Sequence, residues 1–195
     1  GNSIAYRAFY ALPEDLATTS GQVTNAVYGF TRMLIKLLGD HHPDGVAVAW
    51  DVSRESFRTE RYAEYKAQRE KAPDHFRSQL GLIDEVLQAL RIPQVRMEGY
   101  EADDLIATIT KKAVADGWDV LIVTGDRDAF QLIDDHVKVL YTRRGITDTI
   151  IADEDYVTDR YGIAPMQYVE YAALRGDTSD NLPGVPGVGE KTATK

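Results

Sequence analysis

The chain has 195 residues, 44% hydrophobic and 27% charged, with a formal net charge of −9 and no cysteine. Those values exclude wholesale disorder and collagen-like repeats. They leave no disulfide framework, no thiolate zinc site and no thiol nucleophile, and a reducing, cytoplasmic setting is compatible with them. No apolar run approaches the roughly 20 residues of a membrane-spanning helix, and no secretory leader opens the chain.

Along the chain, Val23, Val27, Phe30, Leu34, Leu37 and Leu38 recur at helical spacing, and Gly39 with Pro43 closes that helix. Val46 to Trp50 is a short apolar run that reads as a buried strand ending at Asp51. Phe76, Leu80, Ile83, Leu87 and Leu90 predict a second amphipathic helix. Gln94 to Met97 is a candidate strand. Glu101 to Asp116 is a candidate helix with Leu105, Ile106, Ile109 and Ala113 inward, closed by Gly117. Val120 to Thr124 is a second buried strand, ending at Gly125-Asp126, and Val137 to Tyr141 is a third. Asp153 is an N-cap for a helix reaching Tyr161 and stopped by Gly162. Pro165 starts a last helix, to about Leu174. Strands alternating with helices imply α/β architecture with a mainly parallel sheet, in which ligands bind outside the carboxyl ends of the strands. Asp51 and Asp126 both fall there.

Acids gather in four clusters. Asp51 follows one strand. Glu101, Asp103 and Asp104 open a helix, Asp126 and Asp128 follow another strand, and Asp177 and Asp180 sit in a loop rich in Gly, Pro, Asp and Asn. Without these eight, acids and bases nearly balance. Each cluster alone has a plain explanation as a helix-dipole contact or a turn residue. Together they predict a cleft where like charges raise one another's pKa and cations relieve them. Oxygen ligands with no Cys or His nearby select Mg²⁺ or Mn²⁺, and the number of carboxylates suits two ions, the arrangement that hydrolyses phosphodiesters.

Two further segments leave alternatives open. Arg54 to Lys71 carries six bases, four acids and the aromatic residues Phe57, Tyr62 and Tyr65. It reads either as a solvated charged face or as a mobile arch in which Lys66 and Arg69 clamp a phosphate while Tyr65 stacks on a base. The stretch Gly184 to Thr192 fails the nucleotide-binding loop pattern, because Glu190 separates Gly189 from Lys191. It is either an ordinary helix entry or a backbone grip on a nucleic-acid phosphate. The four histidines are scattered and read as surface or loop residues.

Gly1-Asn-Ser, Tyr6-Arg-Ala-Phe9, Ser56-Phe-Arg58, Gly99-Tyr-Glu-Ala-Asp-Asp104, Thr124-Gly-Asp-Arg-Asp128, Gly176-Asp-Thr-Ser-Asp-Asn-Leu-Pro-Gly184 and Gly187-Val-Gly-Glu-Lys-Thr192 resemble the bacterial 5′ nucleases of the flap-endonuclease family. The likeness is strongest to the 5′→3′ exonuclease domains that precede a polymerase domain. It runs almost end to end. It implies a PIN-like domain over 1–175, with a helical arch at about 54–75, and the truncated start of a helix-hairpin DNA-binding motif over 176–195. It further implies one metal site from Asp51, Glu101, Asp103 and Asp126 and a second from Asp128, Asp177 and Asp180, with Asp104 acting nearby or through water. Lys66 and Arg69 would steer the scissile phosphate, and Arg58 would help hold DNA. Gly184, Gly187, Gly189 and Lys191 would hold the duplex behind the cut. The expected partners are DNA with a 5′ flap or nick, RNA primer–DNA hybrid and a polymerase domain, with no membrane. The family has an aspartate just before the position of Gly1, at the end of a first strand, and further helices after the hairpin's first, while Lys195 falls inside a helix start, so both chain ends are expected to be cuts. Two rivals stand beside this reading. One is a Mg²⁺-dependent phosphatase of the HAD type, suggested by Asp126-Arg-Asp128. The other is a DNA-binding module without catalysis.

Overall fold

In the computed structural model, which describes residues 1–145 and 148–195, Val48–Ala49 (β1) pairs in parallel with Gln94–Val95 (β2). Val120–Thr124 (β3) pairs in parallel with Val137–Arg144 (β4). The parallel pairs expected from the strand–helix alternation are therefore present, but in two separate sheets. Asp148–Ala152 (β5), a strand not foreseen, lies antiparallel on β4. Its short connection to β4 permits no parallel crossover.

The helices are Asn2–Ala11 (α1), Asn25–His41 (α2), Phe57–Arg61 (α3), Asp74–Ala89 (α4), Ala102–Ala115 (α5), Glu154–Tyr161 (α6), Tyr168–Arg175 (α7) and Glu190–Ala193 (α8). α2, α4 and α5 lie where the periodicity places them, and α6 where its Asp153 cap and Gly162 stop place it. The helix expected from Pro165 begins as a 3₁₀ turn, Pro165–Gln167, and continues as α7. α1 goes beyond the expected elements. Its buried face is Ile4, Ala5, Ala8 and Phe9, half of it small, so its apolar signal is weak. Asp153 caps α6 by accepting from the Tyr156 N–H, and Gly162 ends it at φ 71°.

Two apolar clusters divide the interior. One joins α1, α2, α4 and Trp50, with Phe76, Ile83 and Leu87 fully enclosed. The other joins β3, β4 and β5 to the helices that follow, around Phe130, Val139, Val157 and Tyr168. α5 lies between them: Leu105 packs with Ala49 of β1, while Ile106 reaches both this contact and the second cluster. α5 thereby sets the distance between the carboxyl ends of β1 and β3.

The first cluster contains a closed polar network. The Asn25 side-chain amide donates to the carbonyls of Phe9 and Leu12 at 2.9 and 3.0 Å, satisfying the end of α1. Gln79, fully buried, accepts from the Ala26 N–H at 2.8 Å and donates to the Asn25 side chain and the His75 carbonyl, both at 2.9 Å. Asn25 and Gln79 are themselves fully buried, so removing one leaves the other's polar atoms unmatched in a medium that penalises them. Asn25→Ala is expected to cost about 2–3 kcal/mol, read as a fall in Tm of about 5–10 °C by thermal unfolding.

Candidate active site

The carboxyl end of β1 delivers Asp51. The N-terminus of α5 delivers Glu101, Asp103 and Asp104. The end of β3 delivers Asp126, and the 3₁₀ turn Arg127–Leu132 delivers Asp128. The loop after α7 delivers Asp177 and Asp180. α1 spans the first and third of these. The Asn2 amide donates to Asp51 Oδ2 at 2.8 Å, and the Ser3 hydroxyl accepts from the Gly125 N–H at 3.0 Å.

Asp51 Oδ1 accepts from the Ala102 N–H at 2.8 Å, one of the free donors at the start of α5. Glu101 caps the same helix and is buried. It accepts from the Ser56 hydroxyl at 3.0 Å, the Tyr65 hydroxyl at 3.1 Å and Lys66 Nζ at 2.6 Å. Asp104 faces away from this group. It accepts from the Glu101 N–H at 2.9 Å and holds Arg58 in a bidentate pair at 2.7 and 2.8 Å. That pair holds the Asp104 carboxyl below the usual range and pushes the Arg58 guanidinium up. Asp126 Oδ1 accepts from the Asp128 N–H at 3.0 Å. Asp177 Oδ1 accepts from the Ser179 N–H at 2.7 Å and its hydroxyl at 2.6 Å. Burial works to raise the Asp177 pKa, but these donors outweigh it and bring it below the usual value. Asp180 pairs with Arg69 at 2.5 Å and lies 3.8 Å from Lys66 Nζ.

Asp103 and Asp128 carry the strain of the cluster. Asp103 opens to the cleft, yet the surrounding protein desolvates it, and Asp126 and Asp51 repel it; its pKa is pushed up to about 6. Burial, then Asp126, Asp180 and Asp177, push Asp128 up to about 7. Seven carboxylates from all four clusters, Glu101 among them, thus feel one another across one cleft. Among the described residues no three of them surround a single point at ligand distance. Protein donors turn Glu101, Asp177 and Asp180 toward themselves, and Arg58 removes Asp104 from the group. The donor set, hard oxygen with mutual repulsion, still fits divalent cations of the Mg²⁺ type.

The charged stretch 54–71, expected as an arch, packs on the acidic loop. It is tied to the acidic loop by Lys66 N–H to the Asp180 carbonyl (3.0 Å), Gln68 to the Thr178 carbonyl (2.8 Å), Arg69 Nε to the Ser179 carbonyl (3.1 Å) and Asn181 to the Glu64 carbonyl (2.7 Å). Lys66 sits at φ 54°, a conformation costly for a side-chain-bearing residue, and so aims its ammonium at Glu101. Tyr65 differs from its expected role. Its ring is buried and its hydroxyl is spent on Glu101, so it presents no open stacking face. Gly184 is not an open phosphate cradle. Its backbone lies against Gly176 and Arg175, and a β-carbon on Gly176 would meet the Gly184 nitrogen at 2.7 Å. Gly187, Gly189 and Lys191 are exposed, apart from the carboxylate contacts. Asn2 and Ser56 also touch the cluster; both lie in strings that carry the family resemblance, yet as common turn and cap residues they are not among the expected site residues.

The raised pKa values give a sign. The folded state binds these protons more tightly than the unfolded one, so the contribution of Asp128 to stability falls as pH rises from about 4 through about 7. In chelator at pH 7.5, Asp128→Asn is expected to raise Tm by a few degrees, or about 1 kcal/mol or more, with the gain vanishing near pH 4. An equal change at both pH values would refute this.

Residues 1–162 match the family model described as the 5′-3′ exonuclease N-terminal resolvase-like domain, and residues 163–195 match the 5′-3′ exonuclease C-terminal SAM fold. DNA polymerase I of Mycobacterium tuberculosis is 56% identical over 196 residues, covering 100% of this chain and 22% of that protein. DNA polymerase I of Bacillus subtilis is 47% identical over 195 residues, with the same coverage of 100% and 22%. The chain therefore spans about a fifth of these relatives. Among solved structures, bacteriophage T5 D15 flap endonuclease in a pseudo-enzyme-product complex with DNA and metal ions superposes with TM-score 0.79 at 21% identity, over 99% of this chain and 70% of that one. Human GEN1 with Holliday junction DNA superposes with TM-score 0.57 at 20% identity, over 98% of this chain and 46% of that one. These likenesses establish the shared PIN-like 5′ nuclease fold.

Proposed function

The chain belongs to the 5′-3′ exonuclease family, and from that premise we propose that it is a divalent-metal-dependent nuclease hydrolysing phosphodiesters at the carboxylate cleft. The observation that carries this reading is the meeting of carboxylates from four chain segments beneath Lys66 and Arg69. Asp51, Glu101, Asp103 and Asp126 would hold one Mg²⁺ or Mn²⁺ ion, and Asp128, Asp177 and Asp180 a second. Such ions, when bound, supply an activated water and neutralise charge on the phosphoryl and leaving oxygens.

The chain's own residues do the rest. The Ala102 N–H and the Asn2 amide fix both oxygens of Asp51, so that carboxylate is oriented before substrate arrives. Lys66 places a point charge over the acids, where a phosphoryl oxygen bearing developing charge would take it from Glu101. Arg69 offers a forked donor to the same phosphate. Arg58 acts at one remove: its pair with Asp104 fastens the base of the arch to α5. Tyr65, through Glu101, helps hold the arch over the cleft and does not stack on a base.

The proposed substrate is duplex DNA with a 5′ flap or a nick, including an RNA primer–DNA hybrid. The proposed partner is a DNA polymerase portion, as in the relatives of which this chain spans 22%. Gly187, Gly189 and Lys191 would touch the duplex backbone at the start of α8.

A 5′-labelled flap duplex with Mg²⁺ tests the reading. Asp126→Ala is expected to abolish cleavage near the junction, and Lys66→Ala to lower kcat about 10²–10³-fold with little change in substrate Kd. No cleavage by the unaltered chain joined to its polymerase portion, with Mg²⁺ or Mn²⁺, would overturn it. Arg58→Ala is expected to act through the arch, with a smaller loss that Arg58→Lys only partly restores, because lysine cannot make the bidentate pair with Asp104.

A further inference from the structure

A groove of about 530 Å³ is lined by Asp126, Asp128 and Asp177 together with Arg127 and Arg175. Arg127 stands between two acids in sequence, yet among the described residues it makes no ion pair. The 3₁₀ turn sends the acids to the cleft and Arg127 toward Tyr141, whose hydroxyl accepts from its Nε at 3.2 Å. Its terminal nitrogens make no hydrogen bond among the described residues. Arg175 is held by its own neighbourhood. Its Nε donates to the Gly176 carbonyl at 3.1 Å, and its guanidinium lies 5.3 Å from the Tyr171 ring centre. Its closest carboxylate is Glu190, 3.7 Å away and largely exposed. The hydrogen bonds of both guanidiniums thus go to neutral groups, Arg175 having in addition the long ion pair with Glu190, and both have donors left for a ligand.

The lining carries both signs of charge, and this restricts what fits. A small monoanion satisfies the guanidiniums alone, and a cation the carboxylates alone. A chain of phosphodiesters meets both, one phosphate bridged by cations to the acids and another received directly by the forked guanidinium donors. We propose that Arg127 and Arg175 form a second phosphate subsite, which takes another phosphodiester of the strand held at the carboxylates. The proposal rests on the nuclease reading above and extends it to two residues outside the acid clusters and the arch.

The test is binding of a fluorescein-labelled flap duplex, in Ca²⁺ to prevent turnover, followed by anisotropy across a salt series. Arg127→Ala and Arg175→Ala are each expected to raise Kd about 5–10-fold near 0.1 M salt and to reduce the log–log salt slope by about 1. Lys112→Ala, on the exposed far end of α5, serves as the control and should change neither. Mn²⁺ titration by calorimetry separates a subsite from charge balance. A subsite leaves Mn²⁺ affinity within about twofold, whereas arginines that only offset the acids would shift it and leave the salt slope intact. Arg127→Gln and Arg175→Gln, which keep most of the side chain, guard against a folding defect and should reproduce the change in slope. Normal DNA binding with unchanged Kd and slope in all four variants would overturn the subsite alone. Failure of the unaltered protein to bind the duplex would overturn the nuclease reading, and the subsite with it.

Discussion

Carboxylates do not gather in a desolvated cleft unless something holds them there. Here the holding falls to the N-terminus of α5 and to a few neutral donors around it. The Ala102 N–H and the Asn2 amide take the two oxygens of Asp51, and the capping geometry takes Glu101 and Asp104. These donors cost the cluster none of its negative charge. The remaining repulsion appears where donors are few, at Asp103 and Asp128, whose pKa values rise to about 6 and about 7. A cleft arranged in this way suits cations, because folding leaves its repulsion only partly offset.

The arch answers the same constraint from above. Lys66 and Arg69 supply positive charge to Glu101 and Asp180, while backbone carbonyls of the acidic loop fasten the segment that carries them. Lys66 accepts an unfavourable φ of 54° to reach that position. Local strain at a charged residue over a carboxylate cluster is a mark of a site where geometry outweighs backbone preference. The pair between Arg58 and Asp104 does different work. It joins the base of the arch to the helix that positions the acids.

The scaffold explains how acids so distant in sequence meet. Neither sheet is large, and the two are not hydrogen-bonded to each other. α5 packs across both, and the first turn of α1 ties Asp51 on one side to Gly125 on the other. Family membership removes the phosphatase alternative suggested by Asp126-Arg-Asp128, because the same residues sit in a 5′ nuclease frame over the whole chain.

Long amphipathic periods made α2, α4 and α5 legible, since burial of one helix face leaves a 3.6-residue signature in any single sequence, whereas α6 was legible from its Asp153 cap and Gly162 stop. Acids at strand ends and at a helix start were legible for a similar reason: their positions along the chain follow from the elements they terminate. α1 and β5 were not, the one because its buried face is half alanine and the other because its pairing depends on a neighbouring strand. Tertiary structure alone decided the partners. Nothing in the spacing of Tyr65 says that its ring is buried against Glu101, that Arg58 removes Asp104 from the cluster, or that Gly184 supports the acidic loop through backbone contact. Residue type and spacing therefore determined which chemistry this chain could host. Through-space electrostatics and packing, which link segments more than a hundred residues apart, decided which side chains remain available to perform it.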